Sequence, residues 1–216
     1  MCIRDRLLTE RLKDLRLERS KLILNWLNKK KNASKVKIFS NKKMFYVDQA
    51  FNRRNNRCVV APDAEAIPVM RTKHPQGVMV LGVVASDGKA MPPYFFKNGL
   101  MVNTEVYMKV LRYHVIPWIR RNYPKGNYVW QQDGAPAHKP IKTQQYLEKH
   151  TAEHWPKMFW PPSSPDLNPL DYSVWSVIEA KACAKPHGSV EDLKTSIRTA
   201  WTSMSKEYVV KTCKAF

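Results

Sequence analysis

No apolar run in this chain reaches the roughly 18 residues that a helical membrane span needs, so no membrane partner is expected. Cysteine is sparse and scattered: Cys2, Cys58, Cys183 and Cys213 include no Cys-x-x-Cys pair. That spacing argues against a thiolate zinc site and against a disulfide framework, and free thiols in a reducing, intracellular compartment fit best. The opening stretch MCIRDRLLTE has charge but lacks the apolar segment of a secretory signal. It runs directly into a helical pattern, so the chain is expected to begin inside a longer protein. Internal repeats are absent. Acidic residues are also scarce, 18 against 37 Lys and Arg, for a formal net charge of +19. That excess favours a polyanionic partner, nucleic acid first, and no small-molecule substrate is expected. Much of it lies early, because residues 1–60 hold 17 Lys and Arg against 5 Asp and Glu. The competing explanation is an ordinary basic surface.

What is present is a core. Apolar residues make up 44% of 216, with seven tryptophans, enough for one domain and an appendage. Leu8, Leu12, Leu15, Leu22 and Trp26 recur at helical spacing, so residues 6–29 read as a basic amphipathic helix. KKKNASK breaks the pattern, and 1–34 is set apart from a main domain over 35–216. KVKIFS (35–40) alternates like a strand, and MFYVDQ (44–49) reads as a second extended piece. VMVLGVVASDGKAMPPYFF (78–96) reads as a hairpin around Asp87-Gly88, with Pro92 and Pro93 placing its second arm at a sheet edge. Residues 104–123 read as a helix bent at Pro117. A strand then ends on Asp133, a helix covers 139–150, and MFW (158–160) reads as a short strand. Asn168 and Pro169 open a helix over 168–185, and Ser189 with Asp192 opens a final one. The order predicts an α/β fold, a mixed sheet with helices on its faces.

The chemistry rests on carboxylates that end or begin elements. YVWQQDGAPAH (128–138) drives a buried strand into a bare acid, Asp133, and Asp171 sits at the start of a helix with 37 residues between them. Each has a plain structural explanation: an Asp-Gly turn for Asp133 and a favourable helix-dipole acid for Asp171. The functional alternative is that both converge on one or two Mg²⁺ ions that clamp a phosphoryl displacement. His150 and His154 have zinc-like spacing but no third ligand nearby. Asp166 reads as a turn residue. Glu179 lies roughly 12 Å along the helix from Asp171, too far to join it. Loop cations Arg53, Arg54 and Arg57 suit phosphate contact, as do Lys29, Lys30 and Lys31 beside the first helix.

QQDGAPAH, WPPSSPDLNPLDYSVW (160–175) and IFSNKKMFYVDQAFNRRNNR (38–57) together resemble the transposases of the mariner superfamily, and the 37-residue gap matches one of its subgroups. The resemblance covers roughly residues 10–200. It implies a ribonuclease-H-like fold, a triad of acids, two Mg²⁺ or Mn²⁺ ions, and cut-and-paste transposition in the nucleus. Its partners would be double-stranded DNA, as transposon ends and target, and a second copy of the chain. By motif, Asp133 is the second acid, Asp171 the third, and His138 a residue near the site or the DNA. The first acid falls in a Phe-Ser-Asp-Glu-Lys type stretch, which here reads Phe39-Ser40-Asn41-Lys42-Lys43. Asn41 takes the place of the aspartate and Lys42 that of the next acid, changes expected to weaken metal binding. Asp48 is roughly 23 Å from Asn41 if the strand stays extended, too far to substitute. Two outcomes remain open: a working enzyme, or a catalytically dead DNA-binding remnant, decayed or domesticated.

Overall fold

A computed structural model describes residues 8–50 and 72–216. At its centre is a four-stranded sheet of order β3-β2-β1-β4, built from β1 (Val36–Tyr46), β2 (Gly77–Ala85), β3 (Tyr94–Phe95) and β4 (Tyr128–Gln131). β1 pairs antiparallel with β2 and parallel with β4, so the sheet is mixed. The short β3 forms the edge, where Pro92 and Pro93 cost no ladder hydrogen bonds. Gly88, at φ 91°, makes the turn after β2.

The pleat sorts side chains onto two faces. Phe39, Phe45, Val78, Val80 and Val84 pack under α5 (Trp175–Ala182), α6 (Val190–Thr202) and α7 (Lys206–Lys214). Ile38, Leu81, Val83, Ala85 and Trp130 pack on the other face, against α2 (Thr104–Val110), α3 (Ile116–Asn122) and α4 (Ile141–His150). Gly82 stands where two tryptophans crowd the sheet. A Cβ there would lie 2.7 Å from both Trp175 and Trp201.

Several expectations from sequence are corrected. The two extended pieces at 35–40 and 44–49 are one strand of 11 residues, because the polar Asn41-Lys42-Lys43 segment keeps its ladder with β2. The helix expected to bend at Pro117 is relieved upstream by a π-helical turn, Leu111–Val115, between α2 and α3. Such a turn accommodates the missing N–H without breaking the helix. MFW is no strand. Trp160 turns into a small core with Trp155, Val129 and Ile23, and the bridge to Trp130 falls at His154 instead. Ser189 does cap α6 through Asp192, but α6 is not the last helix. Ser205 caps a further one, α7.

The first helix, α1 (Glu10–Leu27), lies against the domain. Ile23, not Leu22, takes the buried position, while Leu22 is 42% exposed. Trp26 donates to Glu153 at 2.8 Å and meets Trp155 edge-on. Arg16 bonds the Ser163 carbonyl at 2.7 Å and pairs with Asp166 at 3.0 Å.

Candidate active site

Strand register brings the first two positions together. β1 and β4 are paired in parallel through Phe39 and Gln131. Two residues on along each chain stand Asn41 and Asp133, which line the same cavity. Asp133 lies just beyond the last ladder residue, where the backbone leaves the sheet. Its carboxylate accepts the Ala135 N–H at 3.1 Å, the turn signature of Asp-Gly-Ala.

Asn168 brings in the third position. It is 1% exposed. Its amide nitrogen donates to the Ser40 carbonyl at 3.1 Å, one residue before Asn41. Its oxygen accepts the Leu170 N–H at 3.0 Å. Pro169 then starts the helix at no cost in hydrogen bonds, and a π-helical turn, Leu170–Val174, leads into α5. The Asn-Pro-Leu-Asp string is thus a mechanical unit: Asn168 grips β1 and Asp171 is delivered beside Asn41. One cavity of about 430 Å³ is lined by Asn41, Asp133 and Asp171 together with Arg19, Lys139, Lys157, Asn168 and the 160–165 loop.

The two carboxylates are held in opposite protonation regimes. Burial pushes Asp171 up to about 6, aided by the nearby negative charge of Asp133 and opposed by Asn41 and Lys43. Burial acts in the same direction on Asp133, but it is outweighed there. The His138 hydrogen bond, the Ala135 N–H and Lys42 hold Asp133 below the usual carboxylate range.

His138 is the main support of Asp133. Its Nδ1 lies 2.6 Å from the carboxylate, and its ring packs on Tyr107 at 4.2 Å between centroids. Lys42 Nζ lies 3.2 Å from His138 Nε2. An ammonium only donates, so Nε2 accepts and Nδ1 carries the proton given to Asp133. Lys42 therefore sits on the opposite face of the sheet from Asn41 and reaches the site through His138. Burial lowers the pKa of Lys42, partly offset by Asp133. His138 is only 2% exposed, and its ring braces the Asp133 carboxylate.

Asn41 shows what the amide changes. Its Oδ1 accepts the Lys42 N–H at 2.6 Å, and its side chain opposes the rise in the Asp171 pKa. Reversing the amide would set nitrogen against the Lys42 N–H, so only one orientation is satisfied. The amide adds no negative charge beside Asp133 and Asp171, where an acid would add one. Among the described residues, no group of three or more His, Cys, Asp and Glu side chains is arranged to hold a metal. Asp133 and Asp171 still fit one hard divalent cation, which takes few carboxylates with water or phosphate completing its shell. The donor set is one charge short of what a pair of ions wants.

The remaining candidates fall elsewhere. Asp48 accepts from Thr72 at 2.9 and 3.0 Å, away from the cavity. Glu179 pairs with Lys43 at 2.9 Å, and Asp166 with Arg16. Lys29, Lys30 and Lys31 are exposed past the end of α1 and do not line the cavity. Arg53, Arg54 and Arg57 lie outside the described residues. Sequence reading passed over Arg19, Lys139 and Lys157, which line the cavity. Lys139 carried a usable signal, since it directly follows the QQDGAPAH segment. Arg19 carried none.

No family model matches the chain. It is 27% identical over 199 residues to the Tc3 transposase of Caenorhabditis elegans, covering 90% of this chain and 54% of that protein. It is 26% identical over 140 residues to the Tc1 transposase of the same organism, covering 64% of this chain and 48% of that protein. The chain thus spans about half the length of these relatives. Among solved structures, the Mos1 transposase paired-end complex with left transposon end superposes with a TM-score of 0.82 at 19% identity, over 97% of this chain and 60% of that one. The Mos1 transposase catalytic domain with raltegravir and Mg superposes with a TM-score of 0.73 at 17% identity, over 97% and 91%. The fold is the ribonuclease-H-like fold of that catalytic domain.

Proposed function

We propose that this chain is the catalytic domain of a mariner/Tc1-type DNA transposase, of the subgroup with 37 residues between the second and third acids, and that it binds DNA but cuts it poorly as it stands. The observation that carries the reading is the meeting of Asn41, Asp133 and Asp171 in one cavity. The similarity to Tc3 and Tc1 transposases supports the reaction class. Phosphodiester hydrolysis and strand transfer on transposon ends and target DNA, by a homodimer in the nucleus, follow from that reading.

Asp133 and Asp171 are the residues that would hold Mg²⁺ or Mn²⁺, which supplies Lewis-acid activation of a phosphate and of water. His138 and Ala135 fix the Asp133 carboxylate. Asn168 fixes the backbone that presents Asp171. Asn41 weakens this arrangement, since an amide contributes no charge. That missing charge favours a catalytically silent, DNA-binding copy over a working enzyme.

Restoring the acid is the test. Calorimetric titration with Mn²⁺ should show tighter binding for Asn41→Asp than for the unmodified chain. Nicking of supercoiled DNA with Mn²⁺ should be strong for the variant and near background for the unmodified chain. Efficient cutting by the unmodified protein would overturn the silent-copy reading. A variant that gains neither metal nor cutting would remove Asn41 from the first-acid role.

A further inference from the structure

Three cations line the acidic cavity, and none is spent on a protein acid. Arg19, Lys139 and Lys157 all line it beside Asp133 and Asp171. Among the described residues, no carboxylate lies within ion-pair distance of any of the three. Lys139 passes over Gly134, its Cε 3.7 Å from where a Cβ would be, so no side chain separates it from the Asp133 turn. Lys157 uses its backbone N–H on Gln144 and leaves its ammonium uncommitted. Arg19 spends part of its guanidinium on the Trp160 carbonyl at 3.0 Å and on Met158 sulfur at 3.6 Å. A guanidinium has five N–H donors, so others remain to face the cavity.

The three cations come from separate elements: α1, the turn before α4, and the loop after His154. A small anion would gain little at a cavity whose floor is carboxylate. A chain of phosphates gains more, since several negative groups reach the rim while one crosses the floor. We propose that Arg19, Lys139 and Lys157 form a phosphate-binding rim that seats a nucleic-acid backbone across the cavity, with α1 as one wall of the site. This deepens the transposase reading and rests on it.

The experiment is DNA binding by the whole chain in EDTA, with a short duplex of arbitrary sequence, titrated over a range of salt. Each phosphate that is no longer neutralised should reduce the slope of log K against log salt by about 0.9. The triple variant Arg19→Ala/Lys139→Ala/Lys157→Ala should therefore bind with a slope shallower by about 2–3. A control of equal charge, Arg112→Ala/Arg120→Ala/Lys149→Ala, should change it by much less. Since Arg19 also ties down the Trp160 carbonyl, the pair Lys139→Gln/Lys157→Gln serves as the variant whose fold is safe, with an expected decrease of about 1.8. An equal decrease in rim and control variants would mean general charge and overturn the rim. An unchanged slope in both rim variants, with DNA still bound, would overturn the rim alone. No binding of DNA by the unmodified chain at low salt would overturn the transposase reading with it. Polyglutamate bound with the same dependence on the rim would reassign the surface to acidic protein.

Discussion

At position 41 the exchange of an oxygen for an NH₂ group reverses what the side chain offers. An aspartate there would set a third negative charge beside Asp133 and Asp171. Asn41 instead opposes the rise at Asp171, yet burial still raises that carboxyl to about 6. The sign of the linkage follows. A raised carboxyl favours the folded state when protonated, so its contribution is complete below the usual carboxylate range and is lost as pH rises through about 6. In EDTA, the unmodified protein should lose melting temperature relative to Asp171→Asn as pH rises from about 4 to about 7. Parallel melting curves for the two proteins across that window would show that Asp171 is not held above its ordinary value. Adding Mn²⁺ should stabilise the unmodified protein more at the upper end of the window than at the lower, because the ionised carboxylate is the ligand form.

The segment from Ser164 to Val174 shows how much of the site rides on one buried amide. Asn168 closes two hydrogen bonds, one to β1 and one within its own turn. Asn168→Ala leaves the Ser40 carbonyl without that partner in a buried setting, a loss of about 1–3 kcal/mol, readable as a lower denaturation midpoint with an unchanged m-value. It should also cost divalent-ion affinity, since Asp171 loses its anchor. Destabilisation without loss of ion binding would mean that the helix positions Asp171 unaided. The Asn-Pro cap, the Asp-Gly turn and the edge-strand prolines were legible in the sequence because each is local chemistry. β1 was not legible as one strand because its polar centre is paired from far away: Lys43 with Glu179, 136 residues on, and Lys42 with His138, 96 residues on. Nothing local signals such partners. The same holds for Trp160, whose apolar neighbours read as a strand but which turns inward against Trp155. The motif residues of the site were named from sequence, whereas the opposite facing of Lys42 and Asn41 follows only from the pleat.

Across the whole molecule, α1 connects the basic N-terminal charge to the cavity wall. Its inner face meets the 153–166 region through Ile23, Trp26, Arg16 and Arg19, and Lys35 pairs with Glu153 just beyond. Ser163, whose carbonyl Arg16 holds, has φ 51°, a left-handed conformation that a non-glycine residue keeps only when its surroundings impose it. A helix that merely linked neighbouring modules would fray independently of the sheet. A helix that walls the cavity should open with it. Hydrogen exchange decides between these, because amides near Ile23 should then be protected to a free energy approaching that of β1 and β2. Trp26→Ala removes the Trp155 packing and the Glu153 hydrogen bond together, and should lower both α1 protection and global stability by about 1–3 kcal/mol. Reduced protection confined to α1, with the sheet unaffected, would make it an accessory segment and would weaken the case for Arg19 as part of the site.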